Sequence, residues 1–426
     1  MGAGATGLTA GYELAKKGHA VTIFESSDRC GGLVDTFKAG ELELERFYHH
    51  IFTSDVDIIN LIEELGLGGS LMWTAPLNGI YVNEKLYPFT SPLDLLRFKE
   101  LPFIDRVLMG LLVLRARLVK DWKRLENTGS GEWIVKNAGK KVLDKVWGPL
   151  LKSKFDSDAD RVSAVWIWNK FKLRGSTRGK NLNRELLGYL KGSFGAVYRE
   201  LAVRVRVLGG DIILSGEVTR IVSKKDETLE VTAGKRTWNC ALVLVTTAPD
   251  ILSEMARELP DWYEKRLGSI KYKSNICMIL ELKEKLSPYY WITVAQDGFP
   301  FVLVIEQTNL VSDKGYGSHI VYLSRYVDER NPLFLAPDVQ VEKMFFEHLK
   351  KMFPGWDESG VKNTRIYRAR YAQPVIVRDY SKIVPEYKTP IPNLYLACMA
   401  QIYPEDRGQN YAVRMGKEIA EVVDGS

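Results

Sequence analysis

Six residues at the start of the chain, Gly2-Ala3-Gly4-Ala5-Thr6-Gly7, have the spacing G-x-G-x-x-G. Glycine at the first position permits a tight turn. At the second it leaves no Cβ to hold off a pyrophosphate, and at the third it lets the following helix pack close to a sheet. The N–H groups of that helix start, at Ala5 and Thr6, then face phosphates, helped by the partial positive charge there. Alone the pattern is weak. Here a helical period runs from Thr6 to Lys17, Gly18-His19 punctuates, Ala20 to Phe24 reads as a strand, and Glu25 ends it. A carboxylate in that place accepts hydrogen bonds from two ribose hydroxyls and repels a 2′-phosphate, which selects NAD or FAD over NADP. Asp28-Arg29-Cys30-Gly31-Gly32 follows at once. Gly31 and Gly32 permit a second close backbone approach, and Arg29 can offset phosphate charge. The longer FAD would use that second approach; NAD would not.

Such a turn needs a scaffold. The chain has 426 residues, more than one hydrophobic core organises, so two domains are expected. Hydrophobic residues at 46% and charged residues at 26% exclude disordered, collagen-like and disulfide-scaffold proteins. A net charge of +6 over this length is too weak to argue for nucleic acid and favours anionic ligands or a membrane surface. The four cysteines, Cys30, Cys240, Cys277 and Cys398, form no CxxC or metal spacing and read as reduced thiols of a cytoplasmic protein. The first residues carry glycines where a secretory signal has its apolar core, so none is expected, and the stretch nearest to a span, Val107 to Leu114, has eight uncharged residues, far short of the ~20 that span a bilayer. Helical periods fall over 55–66, from Pro92 to about Leu151, and over 193–208, 338–353 and 410–423. Strand patterns fall over 79–89, 211–215, 218–223, 229–233, 241–246, 272–282, 290–295, 301–306, 318–326 and 393–400. A dinucleotide-binding sheet also has a strand before its first glycine, where only Met1 stands. The natural chain is therefore expected to begin about 5–10 residues upstream.

The run from Gly2 to Leu33, GAGATGLTAGYELAKKGHAVTIFESSDRCGGL, resembles the flavoprotein superfamily of amine oxidases, protoporphyrinogen oxidases, carotenoid desaturases and UDP-galactopyranose mutases. Later segments extend it. Gly216 to Ile221 is similar to the strand whose backbone holds adenine, at Val218. Leu242 to Pro249 resembles the strand and Pro turn that leave the FAD domain. Asn393 to Ala397 is similar to the strand that returns under the flavin. Two positions depart from the superfamily's pattern. Leu33 stands where a basic residue is usual, and Cys398-Met399 stands for Gly-Asp, with Glu405 and Asp406 as the nearby acids. The resemblance implies an α/β fold: a Rossmann-type FAD-binding domain (1–75, 190–250 and 372–426) interleaved with an α+β substrate domain of mixed sheet and helices (76–189 and 251–371). It implies FAD and hydride transfer from C–N or C–C bonds of a small molecule to flavin N5. Two alternatives stay open: a redox-neutral sugar-nucleotide mutase and a flavin-binding protein without catalysis.

Candidate chemistry follows from the resemblance. His50-Ile51-Phe52 matches a sequence that the mutases carry near the flavin, and His49 and His50 are two of only five histidines. His50 is the candidate for proton transfer or a flavin hydrogen bond, weighed evenly against a loop histidine satisfied by backbone. The strand pattern Arg365 to Pro374 ends toward the flavin, which makes Tyr371 the second catalytic candidate, with Gln373 beside it. In the segment Gln401 to Tyr411, the N–H groups of Gln409, Asn410 and Tyr411 would meet flavin O2. Cys398 is a candidate for a covalent flavin link, with a buried thiol the simpler account. Trp147, Trp166 and Trp168 fall between helices, the last two sharing a face only if extended. With Arg161, Arg174, Arg178 and Arg184 they suit a substrate that joins a ring or isoprenoid to an anion. The mutase alternative would pair Arg174 with Arg325 on a diphosphate. Residues 103–122 read as a core helix with a basic outer face, and secondly as a helix lying on the inner face of a membrane.

Overall fold

A parallel sheet gathers around the first two residues. The computed structural model describes residues 1–176, 185–312 and 314–425, with only the backbone of 173–176. Thr22–Phe24 pairs with Asp211–Ile213, and Val243–Val245 with Leu394–Leu396, both parallel. Met1 and Gly2 lie between the two pairs. Gly2 N–H donates to Phe24 O at 2.7 Å and Thr246 N–H to Met1 O at 2.9 Å. A three-stranded antiparallel sheet, 218–223, 229–233 and 236–240, stands beside them.

Seven helices bear on the site: α1 (Ala5–Lys16), α2 (Val56–Glu64), α3 (Pro92–Arg97), α4 (Phe103–Leu118), α5 (Gly148–Phe155), α6 (Ala164–Ser176) and α7 (Gln409–Asp424). The apolar faces of α3 to α6 enclose a core that includes Phe98, Leu112, Trp147 and Trp168.

The larger sheet has seven strands, with the 272–282 strand between 361–374 and 319–327. Its alternation decides which core each side chain joins. Ile276, Met278 and Leu280 pack with Phe345 and Leu349 of the 338–352 helix. Cys277 and Ile279 turn to the opposite face and join Leu8, Leu61 and Tyr198 in a core shared with the nucleotide-binding side. Cover on both faces explains the apolar run Ile276 to Leu280, which the buried polar residues Lys273, Ser274 and Asn275 precede and Glu281 follows.

The sequence reading gives no element at the strands 36–39, 42–45, 71–74 and 187–190 or at the helices 249–255 and 261–268, and it differs at three other places. Trp166 and Trp168 lie within α6, not between helices or on an extended segment. A strand at Arg236–Cys240 has no apolar alternation to announce it, since only its register with 229–233 makes it one. The expected 393–400 strand stops at Leu396, and Met399–Gln401 forms a 3-10 turn.

Glu45 is 1% exposed, and its carboxylate accepts hydrogen bonds from Tyr189 Oη at 2.8 Å and Phe194 N–H at 2.5 Å. Burial pushes it up from 4.5 to about 7 against those bonds. Glu306, also buried, is pushed to about 7 by the same cause. The raised values mean that the folded state holds these protons more tightly than the unfolded chain. The stability they contribute is full below about pH 4.3 and is lost as pH rises through about 7. At about 1.4 kcal/mol per unit, each group accounts for up to roughly 3 kcal/mol. Urea unfolding is expected to show stability falling between pH 5 and 8, with Glu45→Gln flattening the slope. An unchanged slope in that variant would assign the pH dependence elsewhere.

Candidate active site

The glycine turn is held by its neighbours as much as by its own sequence. Gly2 has φ +99°, and a Cβ on Gly7 would lie 1.9 Å from Gly2 O, so both positions demand glycine. A Cβ on Gly4 would meet nothing within 4 Å. That open space at the start of α1 is where a phosphate can approach the backbone. Glu25 Oε2 accepts the Ala3 N–H at 2.7 Å, and Oε1 accepts the Ser27 N–H and Oγ at 2.9 Å each. Glu25 therefore fastens the turn to the strand end as well as standing where a ribose would bind. Gly31 N–H donates to Ala3 O at 2.9 Å, and a Cβ on Gly32 would lie 3.3 Å from Gly4 Cα. The second glycine pair thus closes over the first.

A cavity of about 680 Å³ runs from this turn into an aromatic chamber. Gly2, Gly4, Ala5, Thr6, Gly7, Glu25, Gly31 and Gly32 line one part of it. Gln409, Asn410 and Tyr411 line it from the start of α7, where the first N–H groups of a helix have no intrahelical partner. Two helix starts meet on one cavity because α1 and α7 cross closely: a Cβ on Gly416 would lie 2.7 Å from Thr9 Cβ. Asn410 has a further task, since its Oδ1 accepts the N–H groups of Asp57 at 2.8 Å and Ile58 at 3.1 Å. It caps α2 from a distant part of the chain, which no local pattern signals. Buried donors without partners also stand on the cavity wall: Thr247 Oγ1, Trp147 Nε1 and Gln409 Nε2. A long ligand with phosphates at one end and a polar ring further along fits this wall, so these residues suit FAD.

Two expected cofactor residues lie elsewhere. Arg29 pairs with Asp28 at 3.1 Å, and neither it nor Val218 lines the cavity. A neighbouring carboxylate has captured the arginine that sequence assigns to a phosphate. Cys398 is buried, burial pushes its thiol up to about 12, and the cavity does not reach it. A thiol so placed is a core group, and the covalent link is not made there.

The two histidines are held differently. His49 Nδ1 bonds Phe47 O at 2.7 Å, so the proton sits on Nδ1, and burial pushes its pKa down to about 4. His50 Nδ1 meets Tyr290 Oη at 3.0 Å, and its ring lies edge-on to Phe52 and Trp291. Both histidines line the cavity, and so does Tyr371. The Tyr371 hydroxyl donates to Asp250 at 2.6 Å, however, in the helix that opens after Thr246 to Ala248. Burial and Asp250 both raise its pKa. The Tyr371 hydroxyl is thus engaged by Asp250, whereas His50 is engaged by Tyr290. Gln373 stays behind the cavity, bridging Asp406 at 3.3 Å and Arg407 at 2.9 Å.

Asp406 is the centre of charge in the chamber. It is 5% exposed, pairs with Lys154 at 3.4 Å and with Lys170, and accepts the Trp166 Nε1–H at 3.1 Å. Burial opposes its ionisation, but Lys154, Lys170 and Arg407 together hold its carboxyl well below the usual range. Burial pushes Lys154 well down, and Lys170 and Arg407 add to that against the pull of Asp406. The Lys154 ammonium lies over Trp166 at 5.1 Å and Tyr326 at 5.6 Å. Three basic side chains, Lys154, Lys170 and Arg407, thus gather round one carboxylate, and Asp55 and Glu185 stand elsewhere on the cavity wall. Trp147 and Trp166 line this chamber. Trp168 turns away and donates to Ala116 O at 2.8 Å, and Arg161 pairs with Asp158 at 2.8 Å. Arg178 and Arg184, and the side chain of Arg174, lie outside the described residues. Arg325 Nη1 donates to Phe299 O at 2.6 Å and does not line the cavity. Sequence reasoning misses Lys154, Tyr326, Tyr290 and Trp291, which come from one helix, the 319–327 strand and the start of the 291–294 strand, with no shared motif.

The sequence matches the family described as flavin containing amine oxidoreductase over residues 5–423. The mitochondrial protoporphyrinogen oxidase of Nicotiana tabacum is 27% identical over 187 residues, covering 41% of this chain and 36% of that protein. The coproporphyrinogen III oxidase of Staphylococcus aureus is 24% identical over 251 residues, 53% of each. The chain thus spans from about a third to about half of these relatives, at 36% and 53%. Among solved structures, an oxidoreductase from Methanosarcina mazei superimposes with a TM-score of 0.76 at 18% identity, over 99% of this chain and 98% of that one. Reduced UDP-galactopyranose mutase superimposes with 0.76 at 15% identity, over 100% and 93%. Identities this low speak for the fold alone.

The glycine geometry separates two roles by experiment. Gly4→Val is expected to fold with unchanged circular dichroism and to lose FAD absorbance, because its side chain fills only the open approach. Gly7→Ala is expected to fold poorly, because its Cβ meets backbone. Retained FAD in Gly4→Val would move the pyrophosphate elsewhere.

Proposed function

We propose that this chain, which belongs to the flavin containing amine oxidoreductase family and has FAD as its cofactor, oxidises a C–N or C–C bond of a small molecule with an apolar body and an anionic group. The observation that carries this reading is the continuity of one cavity from the glycine turn to the aromatic and cationic chamber. Bound FAD supplies the hydride acceptor.

The chain's own residues do the rest. The starts of α1 and α7 offer N–H groups and positive dipole ends to phosphate and to developing negative charge. Tyr326, Trp291 and Trp166 wall the chamber and exclude water. The His50 Nδ1–Tyr290 Oη pair, at 3.0 Å, can hold or pass a proton. Lys154 and Arg407 face an anionic substrate group, and Asp406 with Gln373 keeps them in place. Binding an anion there also restores charge to Lys154, whose burial works against it. The mutase reading needs an arginine pair on a diphosphate, and Arg325 is turned to Phe299 O instead.

Anaerobic titration tests the reading. Flavin absorbance is expected to bleach with an apolar substrate bearing a carboxylate, and not with a simple protonated amine. Sugar-nucleotide isomerisation appearing only after dithionite reduction would overturn it in favour of the mutase. Lys154→Met is expected to keep FAD and raise KM for the anionic substrate about tenfold, some 1.4 kcal/mol. An unchanged KM would remove Lys154 from substrate binding.

A further inference from the structure

Gln409, the first residue of α7, has a buried amide with only one end engaged. It is 7% exposed and lines the cavity. Its Oε1 accepts the Tyr198 hydroxyl at 2.9 Å, whereas its Nε2 finds no partner among the described residues. Leaving a buried N–H unpaired is costly, so a donor kept in that state points to an acceptor that arrives with a ligand. The neighbouring groups do not meet it. Asn410 commits its Oδ1 to the N–H groups of Asp57 and Ile58. Asp55 accepts the Phe52 N–H at 2.8 Å, and Asp57 and Glu405 pair with Arg414 at 2.8 and 3.8 Å.

Tyr198 decides which end of the amide faces the cavity. It is 1% exposed, lies in the helix Gly195–Val207 and does not line the cavity. Its bond draws Oε1 to the core side, and the nitrogen, which diverges from the same carbon, is left on the other. Burial and the charge of Glu45 both raise the Tyr198 pKa, so the hydroxyl keeps its proton and remains the donor. The start of its helix is fastened as well. Glu45 accepts the Phe194 N–H at 2.5 Å and the Tyr189 hydroxyl at 2.8 Å, and its backbone oxygen accepts the Tyr322 hydroxyl at 2.8 Å.

We infer that Tyr198 holds the Gln409 side-chain amide with its N–H groups toward the ring of the bound flavin, where they stabilise the negative charge that reduction brings. A hydrogen bond strengthens when its acceptor becomes charged, so a fixed donor favours the reduced ring over the oxidised one. The backbone N–H groups at the start of α7 are offered by almost any residue type, but this donor requires glutamine at 409 and a hydroxyl at 198. Gln409 meets the cofactor directly, and Tyr198 is a positioning residue that acts through it. The inference rests on FAD as the cofactor and not on the substrate class proposed above.

The two-electron midpoint potential of the holoprotein, read against a reference dye without substrate, tests this. Gln409→Met keeps the backbone N–H and the length of the side chain but removes the amide. It is expected to make reduction about tenfold less favourable, a fall of about 30 mV for two electrons. Tyr198→Phe frees the amide to turn and is expected to lower the potential in the same direction. The double variant is expected to fall no further than Gln409→Met alone, because both changes remove one interaction. Tyr189→Phe loosens the same core through Glu45 and is expected to lower the melting temperature with the potential unchanged. FAD absorbance and melting temperature report folding in every variant, and if Gln409→Met does not retain FAD, the potential of Tyr198→Phe decides. A wild-type potential in either Gln409→Met or Tyr198→Phe overturns the inference. So does an equal fall in Tyr189→Phe, which would assign the effect to loosened packing.

Discussion

Helix α7 reaches the cavity only because Gly416 has no side chain. At its crossing with α1, a methyl group there would lie 2.7 Å from Thr9 Cβ and 2.8 Å from Thr6 O. The small contact sets the distance between the two helices, and that distance brings both of their starts to one wall. Phosphates and a flavin ring place negative charge at separate points of a long molecule, and a single helix start would serve only one of them. The strands beneath add to this. Thr246 N–H and Oγ1 donate to Met1 O and Gly2 N–H donates to Phe24 O, so the turn is tied both to the strand that follows it and to the segment leaving the domain.

The chamber beyond that wall solves a harder electrostatic problem. Burying several charges costs more than pairing usually returns, unless geometry satisfies each group. Asp406 sits among two lysines, an arginine, a tryptophan N–H and a glutamine amide, and Gln373 in turn orients Arg407. Lys154, Lys170 and Arg407 outnumber the one carboxylate they share.

Much of this was legible in the sequence wherever physics is local. The glycine spacing, Glu25, the second glycine pair and the Gln409 to Tyr411 helix start are short-range patterns, and all of them line the cavity. So are the long strands of the larger sheet, whose 272–282 core strand carries the apolar run Ile276 to Leu280. What failed was long-range. Trp168 reads as a chamber wall until its indole is seen bonded to Ala116 O, 52 residues away. Lys154 and Tyr326 are 172 residues apart and carry no spacing signal, yet they stack in one chamber. Asn410 serves a helix that starts more than 350 residues earlier. Position within a fold, more than residue type, decides such roles.

Glu25 has a consequence for how cofactor choice could change over evolution. Exchanging the acid after the second strand of such a fold for a smaller or basic residue is the simplest way to admit a nucleotide with an extra phosphate. In this chain the same carboxylate anchors Ala3 N–H and Ser27, and so holds the turn that meets the pyrophosphate. A substitution that relaxed ribose selectivity would loosen the phosphate cradle in the same step. Nucleotide preference and turn geometry are inherited together here, and drift in one is barred by the other.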